Sequence, residues 1–282
     1  AEGVGLLRTE FLYLSLDDMP DEERQTRSLA AVLANLGEGP VVIRTPDIGA
    51  DKPLAFMPTA LEHNPFLGVR GVRLSLRHPA FFASNLRAIL RAGIGRDVWI
   101  MFPMVTTPED MRQARAFAEA AHHDLERAGV AHQWPVKLGM MVEVPAAAIM
   151  AERFTALADF FSIGTNDLTQ YILAAERGNG DLESLQDAAH PAVLRAIAGI
   201  CEKAETAGCH VSVCGDAASD PLAASLMIGV GVRSLSVRPN QIAAIKAHIR
   251  TLSMDRLRGL AKDAMQCDSG AEARRLVTSA RQ

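Results

Sequence analysis

The stretch that most constrains this 282-residue sequence is Asp159 to Arg177, DFFSIGTNDLTQYILAAER. Phe160, Phe161 and Ile163 form a short apolar run of strand type. It stops at Gly164, Thr165, Asn166 and Asp167, residues that a buried strand interior does not carry. Leu168, Tyr171, Ile172 and Ala175 then recur at helical spacing. Asn166 and Asp167 are therefore expected where a strand hands over to a helix. There, backbone N–H groups and a carboxylate face one small volume suited to an anion with a metal. An Asn-Asp pair ahead of a helix is also an ordinary N-cap, so the pair alone leaves both roles open.

The same handover recurs along the chain. Strands are expected at Val4 to Leu7, Val41 to Ile43, Val98 to Met101, Leu138 to Val142, Phe160 to Ile163, Val211 to Val213 and Ser234 to Val237. Between them lie helical patterns. One follows Pro20 with an acidic first turn and stops at Gly37; others cover Pro79 to Ala92, Pro108 to Ala128, Ala146 to Phe154 and Ala192 to Ala207, and further ones follow Pro221 and Pro239. A Pro- and Gly-rich loop fills residues 46 to 71. With 49% hydrophobic residues the chain can bury one large core. Alternating strands and helices at this length favour a parallel α/β sheet closed as a (β/α)8 TIM-type barrel, and no GxGxxG turn supports a dinucleotide fold. Seven strands are one short of eight, and residue 1 enters in mid-pattern, so the first strand and helix are expected to lie outside this sequence. Residues 1–282 then form one barrel domain, with 254–282 as a C-terminal helical extension.

A net charge of −4 and a pI near 6.1 give no global attraction to nucleic acid or to an anionic membrane, so any anion must meet locally clustered arginines. Cys201, Cys209, Cys214 and Cys267 show neither a CxxC pair nor finger spacing, and no long apolar span or leader is present, which fits a reducing cytoplasm.

Chemistry in a barrel gathers at the C-terminal ends of the strands. Five of the seven expected strands end in a residue able to bind an anion, bind a metal or move a proton: Arg8, Arg44, Glu143, the Asn166-Asp167 pair, and Cys214. Two carboxylates with few histidines or cysteines around them suit a hard, oxygen-seeking cation, Mg²⁺ rather than Zn²⁺. Arg8, Arg44, Arg70 and Arg177 suit a small, highly anionic substrate. Cys214 by itself reads more readily as a small buried hydrophobe, and its strand-end position is what favours a catalytic role.

The stretches GVGLLRTEFLY, VVIRTPDIGADK, HNPFLGVRGVRL, IMFPM, MMVEVPAAA, FFSIGTNDLTQYILAAERGN and VCGD occur here in the order and approximate spacing of the PEP-utilising enzymes, and the chain resembles the Enzyme I branch of that family in particular. The resemblance implies a PEP-binding barrel of a phosphoenolpyruvate-protein phosphotransferase. Its phosphate would be held by Arg8, Arg44 and Arg177, its carboxylate by Arg70 and Asn166, and Mg²⁺ by Glu143 and Asp167. Cys214 would protonate the enolate, with Arg8 and Arg44 acting beside it in catalysis. It further implies transfer to a phosphohistidine domain upstream and on to HPr for sugar uptake, a homodimer, a cytoplasmic location, and no nucleic-acid or membrane partner. Pyruvate phosphate dikinase, PEP synthase and a non-catalytic PEP sensor are the alternatives. The Arg177-Gly178-Asn179 form favours Enzyme I, and retention of Cys214 speaks against a sensor.

Three positions depart from the family pattern. Pro46 and Ala50 stand in the RTxDIGGDK loop, and Asp216 replaces the usual Glu after Cys-Gly. None of the eight histidines lies in a Gly-rich swivelling motif, and only His190, before Pro191, is near the site stretch.

Overall fold

The structure, a computed structural model, describes residues 1–13, 16–49, 56–57 and 62–280. These residues group into two compact units, Ala1–Met140 and Met141–Gln282. Each repeats the strand-then-helix pattern.

In the first unit, β1 (Val4–Arg8), β2 (Val41–Arg44), β3 (Val98–Phe102) and β4 (Lys137–Val142) pair in parallel order, and the last two residues of β4 fall in the second unit. Strands β1 and β2 each run one residue beyond the apolar run, so Arg8 and Arg44 are the final residues of their strands rather than the first residues of a loop. The helices are α1 (Glu22–Ala34), α2 (Val72–Arg77), α3 (Pro79–Ala92) and α4 (Pro108–Arg127). Leu29 and Leu33 of α1 and Phe82, Leu86 and Ile89 of α3 are fully buried. Glu22 ties the two helices together from outside by accepting from Arg87 at 2.6 Å and Arg91 at 2.8 Å. Inside the seam, the Tyr13 hydroxyl donates to Gln25 at 2.6 Å and accepts from Asn85 at 2.8 Å, which satisfies polar groups that burial would otherwise penalise. Helix α2 was not expected. It is about a turn and a half, VRLSLR, between Gly71 and Pro79, and Pro79 forces His78 out of helical geometry and separates α2 from α3.

In the second unit, β5 (Phe160–Gly164) pairs with β6 (His210–Cys214), and β6 with β7 (Ser234–Leu235), again in parallel. Strand β7 is shorter than the expected Ser234 to Val237. Strand β6 stops at Cys214 and turns at Gly215 with φ +103°, leaving no edge for Val237 to pair with. The helices are α5 (Pro145–Ile149), α6 (Thr165–Leu173), α7 (Pro191–Thr206), α8 (Pro221–Gly229), α9 (Ile242–Ile249), α10 (Met254–Ala264) and α11 (Gly270–Ser279). The segment from residue 254 holds the last two of these helices. It is packed rather than loose: Leu194 and Leu226 share an apolar cluster with Ala261, Ala264, Ala273 and Val277. Among the described residues no helix is long and apolar enough to cross a membrane.

Candidate active site

The second unit holds five of the residues expected at the site: Glu143, Asn166, Asp167, Arg177 and Cys214. Strands β5 and β6 end in register, with Gly164 beside Cys214. Glu143 is the first residue past β4, and Asp167 lies in the first turn of α6, where the helix dipole favours a carboxylate. Both are buried, at 1% and 6% exposure. Buried carboxylates need compensating charge or hydrogen bonds, and an all-oxygen pair of this kind fits a hard divalent cation. Gly164 makes room for the first of them. A Cβ there would stand 2.6 Å from Glu143 Oε2 and 3.0 Å from its Cβ. Because Gly164 has φ −83°, alanine is conformationally acceptable, and the obstruction falls on Glu143 and on Met141 Cγ, 3.1 Å away. Gly164→Ala is therefore expected to lower divalent-metal affinity by about 10- to 100-fold and to cost about 1–3 kcal/mol of stability through crowding. Titration with Mn²⁺ checks this, and unchanged affinity would remove Glu143 from the ligand set.

At the end of β6 the Cys214 thiol is 2% exposed. Its sulfur accepts from the Ser162 hydroxyl at 3.3 Å and donates towards the Ile163 carbonyl at 3.5 Å, an arrangement that suits a protonated thiol. Thr165 donates to the Cys214 carbonyl at 3.0 Å, drawing the start of α6 against the strand end. Only glycine fits at 215, since besides its φ of +103° a Cβ would meet Thr165 Oγ1 at 2.5 Å and Asn166 Oδ1 at 2.8 Å. Asp216 then grips Asn166 twice, accepting from its Nδ2 at 3.0 Å and donating its own backbone N–H to Oδ1 at 3.1 Å. The departure noted at Asp216 thus has a definite task, the orientation of Asn166.

Arg177 follows α6, whose last turn closes on Ala174 in the left-handed region. Its backbone N–H donates to Gln170 Oε1 at 2.7 Å, and among the described residues its guanidinium makes no ion pair. It lines a cavity of about 470 Å³ with Asn166, Thr169, Gln186 and Asp216. The Thr169 hydroxyl there is buried and has no hydrogen-bond partner among the described residues.

The first unit holds Arg8, Arg44 and Arg70. Arg8 is exposed at the end of β1. Arg44 and Arg70 are buried and held by two acids that sequence reasoning passed over, Glu10 and Asp47. Arg44 donates to Glu10 at 2.6 Å and lies 3.3 Å from Asp47, while Arg70 meets Asp47 through two bonds of 2.8 and 3.2 Å. The Asp47 backbone N–H also donates to Glu10 at 2.8 Å. Two cations and two anions thus form one buried network. The signal in the sequence was the placement of each acid, within three residues of a strand-end arginine. Pro46 lies inside this loop; Ala50 lies outside the described residues.

The other cysteines and His190 take structural roles. Burial pushes the Cys201 thiol up to about 12 and that of Cys209 to about 11, so neither is a ready nucleophile. His190 caps α7 by accepting from the Ala192 N–H at 3.2 Å. His122 stacks on Trp134 at 4.5 Å and shares a hydrogen bond of 2.7 Å with His132.

Residues 1–254 match the family model described as the PEP-binding domain of PEP-utilising enzymes, and the chain belongs to that family. Among particular proteins, it is 43% identical over 282 residues to the phosphoenolpyruvate-protein phosphotransferase of Haloferax volcanii, covering 99% of this chain and 50% of that protein. It is 45% identical over 276 residues to the multiphosphoryl transfer protein of Rhodobacter capsulatus, covering 98% of this chain and 33% of the relative. The chain thus spans a third to a half of these relatives. In fold it is similar to an HpcH/Hpal aldolase/citrate lyase family protein from Burkholderia cenocepacia, with a TM-score of 0.51 at 19% identity over 90% of this chain and 86% of that one. The fold class is the α/β TIM type, as the strand-helix alternation implied.

Proposed function

We propose that this chain is the PEP-binding part of a phosphoenolpyruvate-protein phosphotransferase. The observation that carries the reading is the set of groups around the ends of β5 and β6: two buried carboxylates, an oriented amide and a buried thiol. In this reading Glu143 and Asp167 hold Mg²⁺, which when bound neutralises phosphate charge and polarises the phosphoryl group. Arg177, uncommitted to any acid among the described residues, takes the phosphate, and Arg8 and Arg44 contribute to the same task. Asn166, held by Asp216, and Arg70 recognise the carboxylate.

In the reaction the P–O bond of PEP breaks as a P–N bond forms to a histidine on another domain, and the enolate left behind takes a proton at C3 from Cys214. The phosphoryl group then passes to HPr for sugar uptake, in a cytoplasmic homodimer. The names borne by the relatives favour this over a dikinase, a synthase or a sensor.

Calorimetry of the chain with PEP tests the reading. Binding is expected in millimolar Mg²⁺ and is expected to fall by at least about 100-fold in excess chelator, because the arginines alone leave part of the phosphate charge unmatched. Equal affinity in both conditions would remove the metal from the mechanism, and no binding in either would remove PEP.

A further inference from the structure

Helix α11 lies past residue 254, where the match to the family model ends, and no role at the site attaches to it from sequence. It nevertheless sends Arg274 to the wall of the cavity that Arg177 and Asn166 line. We infer that Arg274 is a positioning residue for Arg177, a clasp that fixes the segment between α6 and α7 from the C-terminal helix. The inference rests on the proposed PEP site for its functional meaning, though not for its geometry.

Arg274 meets two acids from two different segments. Its Nε and Nη2 donate to Asp187 at 2.6 and 2.8 Å in a forked pair, and its Nη1 lies 2.6 Å from Asp220. Asp220 caps α8 by accepting from the Leu222 N–H at 2.9 Å, and Asp187 accepts from the Ala189 N–H at 2.9 Å just ahead of α7. One guanidinium shared by two carboxylates has no positive charge left over for a substrate anion. Its work is therefore to hold, and a planar fork suits that work better than a lysine point charge. Burial pushes the Asp187 carboxyl up, yet Arg274 and the Ala189 N–H outweigh it and keep the group below the ordinary aspartate range. A second contact is independent of these charges. A Cβ on Gly270, the first residue of α11, would stand 2.7 Å from Asp187 Oδ2 and 3.1 Å from its Cβ, so the start of α11 is seated directly on this side chain.

From Asp187 the connection runs to Arg177 through one residue. The Gln186 side-chain amide donates to the Glu176 carbonyl at 2.8 Å and to the Asn179 carbonyl at 2.9 Å, on either side of Arg177 and its neighbour Gly178. Gln170 holds the same turn from α6 through the Arg177 N–H. The far end of the segment is tied at Asp187 and, by packing, at Ala189, which is buried in the apolar cluster with Leu226, Ala273 and Val277. Without Arg274, Gln186 would staple Arg177 to a stretch of chain that has lost its charged tie to α11 and α8 at Asp187.

Hydrogen exchange and PEP binding, measured on the whole chain, test the clasp with Arg274→Ala and Arg274→Lys. Arg274→Ala is expected to speed amide exchange at residues 176–190 by about tenfold or more while exchange in β5 and β6 stays as in the parent chain, and to weaken PEP about tenfold. Arg274→Lys, which keeps charge but not the fork, is expected to fall between the two. Unchanged exchange at 176–190 would overturn the inference. So would acceleration spread evenly over β5, β6 and the segment, since that would make Arg274 a general prop of the unit. If the parent chain fails to bind PEP, the proposed substrate fails, while the exchange result still decides whether the clasp exists.

Discussion

Asp47→Ala is expected to destabilise the chain by about 3–5 kcal/mol, the usual cost of leaving buried charge without its partner. Asp47 takes two bonds from Arg70 and lies within ion-pair reach of Arg44, and the side chains of all three are at most 5% exposed. Removing the carboxylate takes from Arg70 its forked contact and from Arg44 one of its acid contacts. Water cannot readily reach either guanidinium, so little solvation replaces what is lost. Asp47→Asn, which keeps acceptor oxygen but no charge, is expected to lose about half as much. Urea denaturation at constant slope reads both, and a loss under about 1 kcal/mol for the alanine variant would show that the arginines are compensated elsewhere. The same network bears on function. With Glu10 and Asp47 balancing Arg44 and Arg70, this group offers rigid, pre-aimed donors more than net positive charge, whereas Arg8 and Arg177 carry their charge without an acid partner among the described residues.

How much of this was legible in advance follows from which forces leave a local mark. Strand positions were readable because an apolar run ending in a polar residue is a short-range pattern, and Arg8, Arg44 and Cys214 do close their strands. Helix α2 was missed because a six-residue helix, with Gly71 before it and His78-Pro79 after it, is too short for a period to emerge. Glu10 and Asp47 were missed for another reason. Near the arginines in sequence, they look like ordinary surface acids until the fold buries both partners together. Arg274 had no signal at all, because its partners Asp187 and Asp220 are 87 residues and 54 residues away (274 − 187 and 274 − 220) and their meeting is made by the packing of α10 and α11 on α8. Gly164 and Gly215 sit between these cases. A glycine at a strand end is visible, but that one clears space for Glu143 and the other for Asn166 is a fact of three dimensions.

Cys214→Ala is expected to slow proton movement at C3 of the product by about 10²- to 10⁴-fold, the range typical of a lost general acid or base, with PEP affinity nearly unchanged. This can be measured on the chain as it stands, without any phosphate acceptor. If Cys214 delivers a proton to the enolate, then in reverse its thiolate removes one from the methyl group of pyruvate. In deuterated buffer with Mg²⁺ the C–H bond breaks, the proton passes to sulfur and exchanges with solvent, and the enolate takes back a deuteron. The methyl signal of pyruvate is then lost from the proton NMR spectrum as deuterium replaces hydrogen. The contacts of Cys214 make the test discriminating. The Ser162 hydroxyl donates to its sulfur, which stabilises the thiolate, and Ile163 accepts the thiol proton when the group is neutral. A cysteine that only filled the end of β6 would lose packing on truncation, and this would appear as a lower denaturation midpoint with the exchange rate intact. Loss of exchange in the alanine variant at an unchanged midpoint would make the thiol the proton carrier, whereas exchange at the parent rate would return Cys214 to the core.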